Sequence, residues 1–168
     1  MEAKVSIIMG STSDLPVMEK AAAILNEFAV PFEMNALSAH RTPEEVENFA
    51  KNLQNRGVEV VIAGAGMAAH LPGVIAAMTP IPVIGVPIKS GLEGMDALLA
   101  MVQMPPGIPV ATVAINGAVN AGVLAAQILS VGDEELRAKV INYKLSLKKK
   151  IVDANKELAN VKYDFKTN

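Results

Sequence analysis

The chain has 168 residues, 51% hydrophobic and 19% charged, with 15 basic against 17 acidic side chains and a net charge of −2. That length fits one α/β domain with a full core, and a charged fraction below the roughly 25% of average soluble domains predicts apolar surface ending in a subunit interface. Balanced charge and the lack of Trp exclude the basic footprint and stacking platforms of a nucleic-acid binder; the lack of Cys excludes a disulfide framework or thiolate metal site and fits the cytoplasm.

The first strand is predicted at Lys4 to Met9, which leaves no room before it for a secretory leader. Gly10-Ser11-Thr12-Ser13-Asp14 then leads into a helix over Leu15 to Phe28, where Val17, Ala21, Ile24, Leu25 and Phe28 recur at helical spacing. Hydroxyls and backbone N–H groups at a helix N-terminus suit a phosphate, and the Asp14 carboxylate suits ribose hydroxyls; helix capping by Ser13 or Asp14 is the alternative.

A short run from Pro31 to Leu37 is followed by Ser38-Ala39-His40-Arg41 and by Thr42-Pro43-Glu44-Glu45, a predicted capping box opening a helix to about Arg56 that Gly57 closes. His40 thus stands at the mouth of a helix as a candidate general base, and Arg41 beside it is a fixed cation for a phosphate or carboxylate; a capping histidine and a surface ion pair are the structural alternatives.

Val58 to Ala63 and Pro82 to Val86 have the continuous apolar character of central parallel strands, with a helix of about two turns from Leu71 to Met78 between them. This stretch is apolar enough to raise a membrane span, but Pro72, Pro80, Pro82 and Pro87 divide it into pieces too short to cross a bilayer. Gly64-Ala65-Gly66-Met67-Ala68-Ala69 has the form of a dinucleotide fingerprint, yet no acidic residue follows at the end of the next strand, so its glycines are read as admitting a small flat ligand instead. His70 closes this turn. No other histidine accompanies His40 and His70, and without carboxylates at ligand spacing the two make a poor metal site.

Val110 to Ile115 reads as a fifth strand and Val119 to Leu129 as its helix. Five strands interleaved with helices predict a doubly wound, three-layer α/β domain, with 2-1-3-4-5 among the favoured strand orders and a crevice between the first and third strands. From Asp133 to about Val161, Leu136, Val140, Tyr143, Leu147, Ile151, Ala154 and Leu158 recur along a helix on the order of 40 Å long, more than such a domain can cover. The chain is therefore read as a single domain, with a core over 1–132 and a helix and tail over 133–168 that reach a neighbouring subunit.

Four segments together carry a family resemblance: Met9-Gly10-Ser11-x-Ser13-Asp14, Ser38-Ala39-His40-Arg41-Thr42-Pro43, Gly64-Ala65-Gly66-x-Ala68-Ala69-His70-Leu71-Pro72-Gly73 and Gln103-Met104-Pro105-x-Gly107-Ile108-Pro109-Val110. In order, from the first strand to about Leu129, they resemble the class I 5-(carboxyamino)imidazole ribonucleotide mutases of purine biosynthesis. The resemblance implies a flavodoxin-like subunit of an octamer that acts on a phosphoribosyl imidazole without metal or organic cofactor. It implies that Ser11, Ser13, Asp14 and Arg41 hold the ribose and 5-phosphate, that Ser38 and the turn of Gly66, Met67, His70 and Leu71 surround the imidazole and its carboxylate, and that His40 is the acid and base. Lys89-Ser90-Gly91-Leu92-Glu93-Gly94 departs from the pattern, being about one residue shorter and carrying charged Lys89 and Glu93, and no ligand contact is assigned to it. Carboxylases that use free carbon dioxide resemble the chain less around His70, and a flavodoxin-like binding module without catalysis would have no need of His40.

Overall fold

The computed structural model describes residues 2–168, so that Met1 lies outside the described residues. Strands β1 (Val5–Met9), β2 (Phe32–Ala36), β3 (Val60–Gly66), β4 (Val83–Ile88) and β5 (Ala111–Thr112) form one sheet in the order β2-β1-β3-β4-β5. Every pairing is parallel, with Val5 opposite Phe32 and Val60, Val61 opposite Val83, and Ile84 opposite Ala111. All residues of β1 and β4 are buried, whereas the edge strand β2 alternates between partly exposed and exposed. Continuous apolar runs and burial go together here because helices cover both faces of the central strands.

The helices are α1 (Leu15–Glu27), α2 (Pro43–Lys51), α3 (Leu71–Met78), α4 (Met95–Val102), α5 (Ala118–Leu129) and α6 (Glu134–Ala159). On one face of the sheet, α1, α5 and the start of α6 pack Met18, Leu25, Ala121, Ala125, Leu136 and Val140 against Val5, Ile7, Ile62 and Val86. On the other, α2, α3 and α4 pack Val46, Phe49, Ile75, Ala97 and Met101 against Ile8, Val61, Ala63 and Val83. This is the predicted three-layer αβα, flavodoxin-like arrangement, with its switch point between β1 and β3.

Several boundaries differ from the expectation. The second helix stops at Lys51, and at its C-cap both the backbone N–H and the side-chain amide of Asn52 donate to the Asn48 carbonyl, at 3.2 Å and 2.8 Å. A short 3-10 turn, Gln54–Arg56, follows and ends on Gly57 in the left-handed region. Val58 is buried but donates to the Leu53 carbonyl, so β3 starts at Val60, and it runs on to Gly66 because that residue still pairs with Ile88. The fifth strand is two residues long instead of spanning Val110 to Ile115. Val113 donates to Gly85 and Asn116 to Pro87, but Pro87 has no N–H to return a bond on that side. Helix α4 was not anticipated.

Beyond Val140, α6 leaves the core except for Tyr143, whose ring meets Phe28 edge-on at 5.3 Å between centroids. Leu145, Leu147, Ile151 and Leu158 are exposed. Among the described residues no helix is long and apolar enough to cross a membrane.

Candidate active site

The carboxyl ends of β1, β2, β3 and β4 open into one crevice of about 660 Å³, within the size range of small-molecule sites. Ser11, Ser13, Asp14, Ser38, His40, Arg41, Gly66, Met67, His70 and Leu71 all line it, together with Gly10, Ala39, Ala65, Ala68, Ile88, Lys89 and Ser90, which sequence reasoning did not select. Four sheet loops thus bring together segments up to 80 positions apart in the chain.

The loop after β1 turns through a 3-10 element, Thr12–Asp14, before α1 begins. Its cap is Ser11, whose Oγ accepts from the Ser13 N–H at 3.3 Å. Neither alternative capping residue is used as expected: the Asp14 side chain makes no cap bond to α1, and Ser13 Oγ donates to Asp14 Oδ1 at 3.5 Å. Burial raises the Asp14 carboxyl above the ordinary aspartate value, and hydrogen bonds from the Ser11 backbone and the Ser13 side chain oppose that rise. An aspartate that lines a polar crevice and has no salt-bridge partner among the described residues is a ready acceptor for hydroxyls.

After β2 the chain forms a closed turn around Ser38. The Ser38 Oγ accepts from the backbone N–H of His40 at 3.4 Å and of Arg41 at 3.2 Å, and from Arg41 Nε at 3.4 Å. The predicted capping box does not form. Thr42 makes no side-chain bond to the helix; its hydroxyl accepts from the Ser38 N–H at 2.9 Å and donates to the Ser38 carbonyl at 3.1 Å, locking both ends of the turn. Glu44 and Glu45 still lie in the first turn of α2, where acidic side chains complement the helix dipole. Arg41 Nη2 donates to the Gly10 carbonyl at 3.0 Å, which fixes the guanidinium between the β1 and β2 loops.

After β3, Met67 adopts φ 55°, a left-handed conformation that costs a non-glycine residue roughly 1–2 kcal/mol. Strain of this kind at a loop facing a crevice marks a site where geometry outranks local stability. It reverses the chain so that His70 becomes the residue before α3, with Leu71 buried behind it. The result is a direct contact between the two histidines: His40 Nε2 and His70 Nδ1 are 2.8 Å apart, with rings nearly perpendicular at 80°. A contact this short needs one proton between the two nitrogens, so one imidazole donates and the other accepts. Both rings are exposed at the crevice mouth.

Residues 4–150 match the AIR carboxylase family. The chain belongs to that family. An N5-carboxyaminoimidazole ribonucleotide mutase of Pyrococcus abyssi is 60% identical over 147 residues, covering 87% of this chain and 84% of the relative. The N5-carboxyaminoimidazole ribonucleotide mutase of Thermotoga maritima is 54% identical over 161 residues, covering 95% and 94%. Among solved structures, that of Treponema denticola PurE2-S38D superposes with a TM-score of 0.86 at 31% identity, covering 94% of this chain and 99% of the other. The superposition covers nearly the whole length of both chains, so the fold is shared end to end.

The residues that sequence reading missed are of two kinds. Ala39, Ala65 and Ala68 are small side chains that shape the walls and carry no chemical signal. Lys89 and Ser90 follow β4 in a loop whose sequence matched no motif.

Proposed function

We propose that the chain converts 5-(carboxyamino)imidazole ribonucleotide into 5-amino-4-imidazolecarboxylate ribonucleotide, moving the carboxyl group from the exocyclic nitrogen to the ring carbon. The observation that carries this reading is the His40–His70 hydrogen bond in a crevice that also presents Ser11, Ser13, Asp14 and Arg41, in a chain whose near relatives bear the name of that mutase.

The roles follow from position. Arg41, pinned between two loops, and the hydroxyls of Ser11 and Ser13 hold the 5-phosphate, while Asp14 accepts from the ribose. Ser38, Gly66, Met67, His70 and Leu71 surround the imidazole and its carboxylate. His40 is the acid and base. Its protonated ring delivers a proton to the carbamate nitrogen as carbon dioxide leaves; the nucleophilic ring carbon captures the trapped gas; the now neutral imidazole removes the proton from that carbon. Each step returns His40 to the state the next requires, so one group serves both. His70 at 2.8 Å fixes the ring and its tautomer between steps. The crevice must exclude water while carbon dioxide is free, which the residues of a single chain do not do at an open mouth.

That need, with the exposed apolar residues of α4 and of the far half of α6, supports a homo-oligomer, an octamer by family resemblance, in which the 133–168 segment of one chain packs on another. The test of the catalytic assignment is His40→Asn. It is expected to abolish product formation while nucleotide binding and the folded circular dichroism spectrum persist; retained turnover would remove His40 from the mechanism.

A further inference from the structure

Strand order makes the loops after β2 and β4 opposite walls of the crevice, with β1 and β3 between them. Three strand spacings separate them, on the order of 14 Å. Each wall carries one cation. Arg41 on the β2 wall is anchored through Nε to Ser38 Oγ and through Nη2 to the Gly10 carbonyl, two of its five N–H donors. Lys89 on the β4 wall lines the same crevice, yet its Nζ is paired with Glu93, which does not line it.

The backbone of Lys89 is anchored. Its N–H donates to Asn116 Oδ1 at 2.9 Å, and the Asn116 N–H donates in turn to the Pro87 carbonyl at 2.8 Å. Glu93 is held opposite by a tight turn in which Leu92 and Glu93 have φ of 39° and 57° and Gly94 has φ 87°. A side chain at Gly94 would place its Cβ 2.7 Å from Ile115 Cγ2, so only glycine fits this position of the turn. The ion pair itself is half-exposed on the lysine and mostly exposed on the glutamate, and exposed pairs of this kind exchange readily for a better partner.

Resting on the mutase reading, we propose that Lys89 is the specificity residue for the transferred carboxyl group: its ammonium leaves Glu93 and pairs with the carboxylate of the bound nucleotide, opposite the phosphate held by Arg41. Ser90 beside it and Gly66, whose Cα faces Ser90, complete that end. Lys89 then favours the two carboxylated nucleotides over the decarboxylated one. Glu93 keeps the ammonium placed between turnovers.

The intact protein and its Lys89→Gln, Lys89→Arg and Glu93→Gln variants are titrated calorimetrically with 5-amino-4-imidazolecarboxylate ribonucleotide and, separately, with 5-aminoimidazole ribonucleotide. Lys89→Gln is expected to weaken the carboxylated nucleotide by about tenfold, the size of one charge-assisted contact, and the decarboxylated one by less than about twofold. Lys89→Arg should recover most of the loss, and Glu93→Gln, which removes the competing anion, should tighten the carboxylated nucleotide by about two- to threefold. Equal weakening of both nucleotides by Lys89→Gln, or of neither, overturns the role of Lys89 while leaving the mutase reading intact. Failure of the unmodified protein to bind either nucleotide overturns both.

Discussion

Gly64→Ala is the substitution whose effect the structure fixes most closely. Gly64 sits in the middle of β3, and a methyl group there would stand 2.3 Å from Met18 Sδ and 3.0 Å from Met18 Cγ and Cε. Ordinary contact lies near about 3.5–4.0 Å, so the thioether must retreat by more than about 1 Å. Met18 is fully buried on α1 in the same core cluster as Ile7, Ile62 and Ala121. The expected cost is about 1–2 kcal/mol, in the lower part of the range for overpacking because methionine is the most adaptable core side chain. Thermal unfolding followed by circular dichroism should show a fall of about 2–8 °C for a chain of this size. Met18→Ala alone costs about 2–5 kcal/mol through its cavity, but with Gly64→Ala the two should fall short of their sum by at least about 0.5 kcal/mol, since each change relieves the other. Because α1 carries Ser13 and Asp14 at its start, Gly64→Ala should also raise KM more than it lowers kcat. An unchanged midpoint, or strictly additive effects in the double variant, would refute the packing argument.

Asp14→Asn should stabilise the fold by a few tenths of a kcal/mol at neutral pH, discounted because the group is partly solvated, while weakening nucleotide binding. The sign follows from burial: the folded-state carboxyl has a raised pKa, so the ionised form is disfavoured above it, and the gain from Asn disappears as pH falls through that raised value and the native carboxyl becomes neutral too. Thermal midpoints of both proteins across acid and neutral pH check this, and a gain that grows toward acid would contradict it. Truncation after Ser146 keeps Leu136, Val140 and Tyr143 in the core and removes exposed Leu147, Ile151 and Leu158. It should leave far-UV ellipticity per remaining core residue intact and shift the assembly to smaller species by light scattering; an unchanged mass would show that the far half of α6 makes no subunit contact.

The sheet and its crevice were readable because their signals are local. β-Branched runs and Pro43 at the start of α2 each act within a few residues. The errors arose where a distant partner decides. Pro87 in β4 shortens β5 from the neighbouring strand. Helix α4 has apolar residues around most of its circumference, so no periodicity marks its eight residues. At the site, both histidines were identifiable from the turns that carry them, but their contact was not: it depends on Met67 accepting a left-handed conformation and on Thr42 closing the Ser38 turn instead of capping the helix. Lys89 was visible as a charge and carried no motif; its meaning comes from facing Arg41 across the strand order.

In the proposed reaction the carboxyl group moves within one bound nucleotide, with carbon dioxide held in the crevice between its two bonds. The direct measurement supplies 5-(carboxyamino)imidazole ribonucleotide labelled with carbon-13 in its carboxyl group to the intact protein, in buffer containing unlabelled bicarbonate, and reads the label in the product by mass spectrometry. Transfer within one bound nucleotide predicts retention of the label in nearly all product. Product whose carboxyl has equilibrated with the unlabelled pool would mean that the enzyme fixes carbon dioxide from solution, and the trapped-intermediate mechanism built on His40 would be wrong.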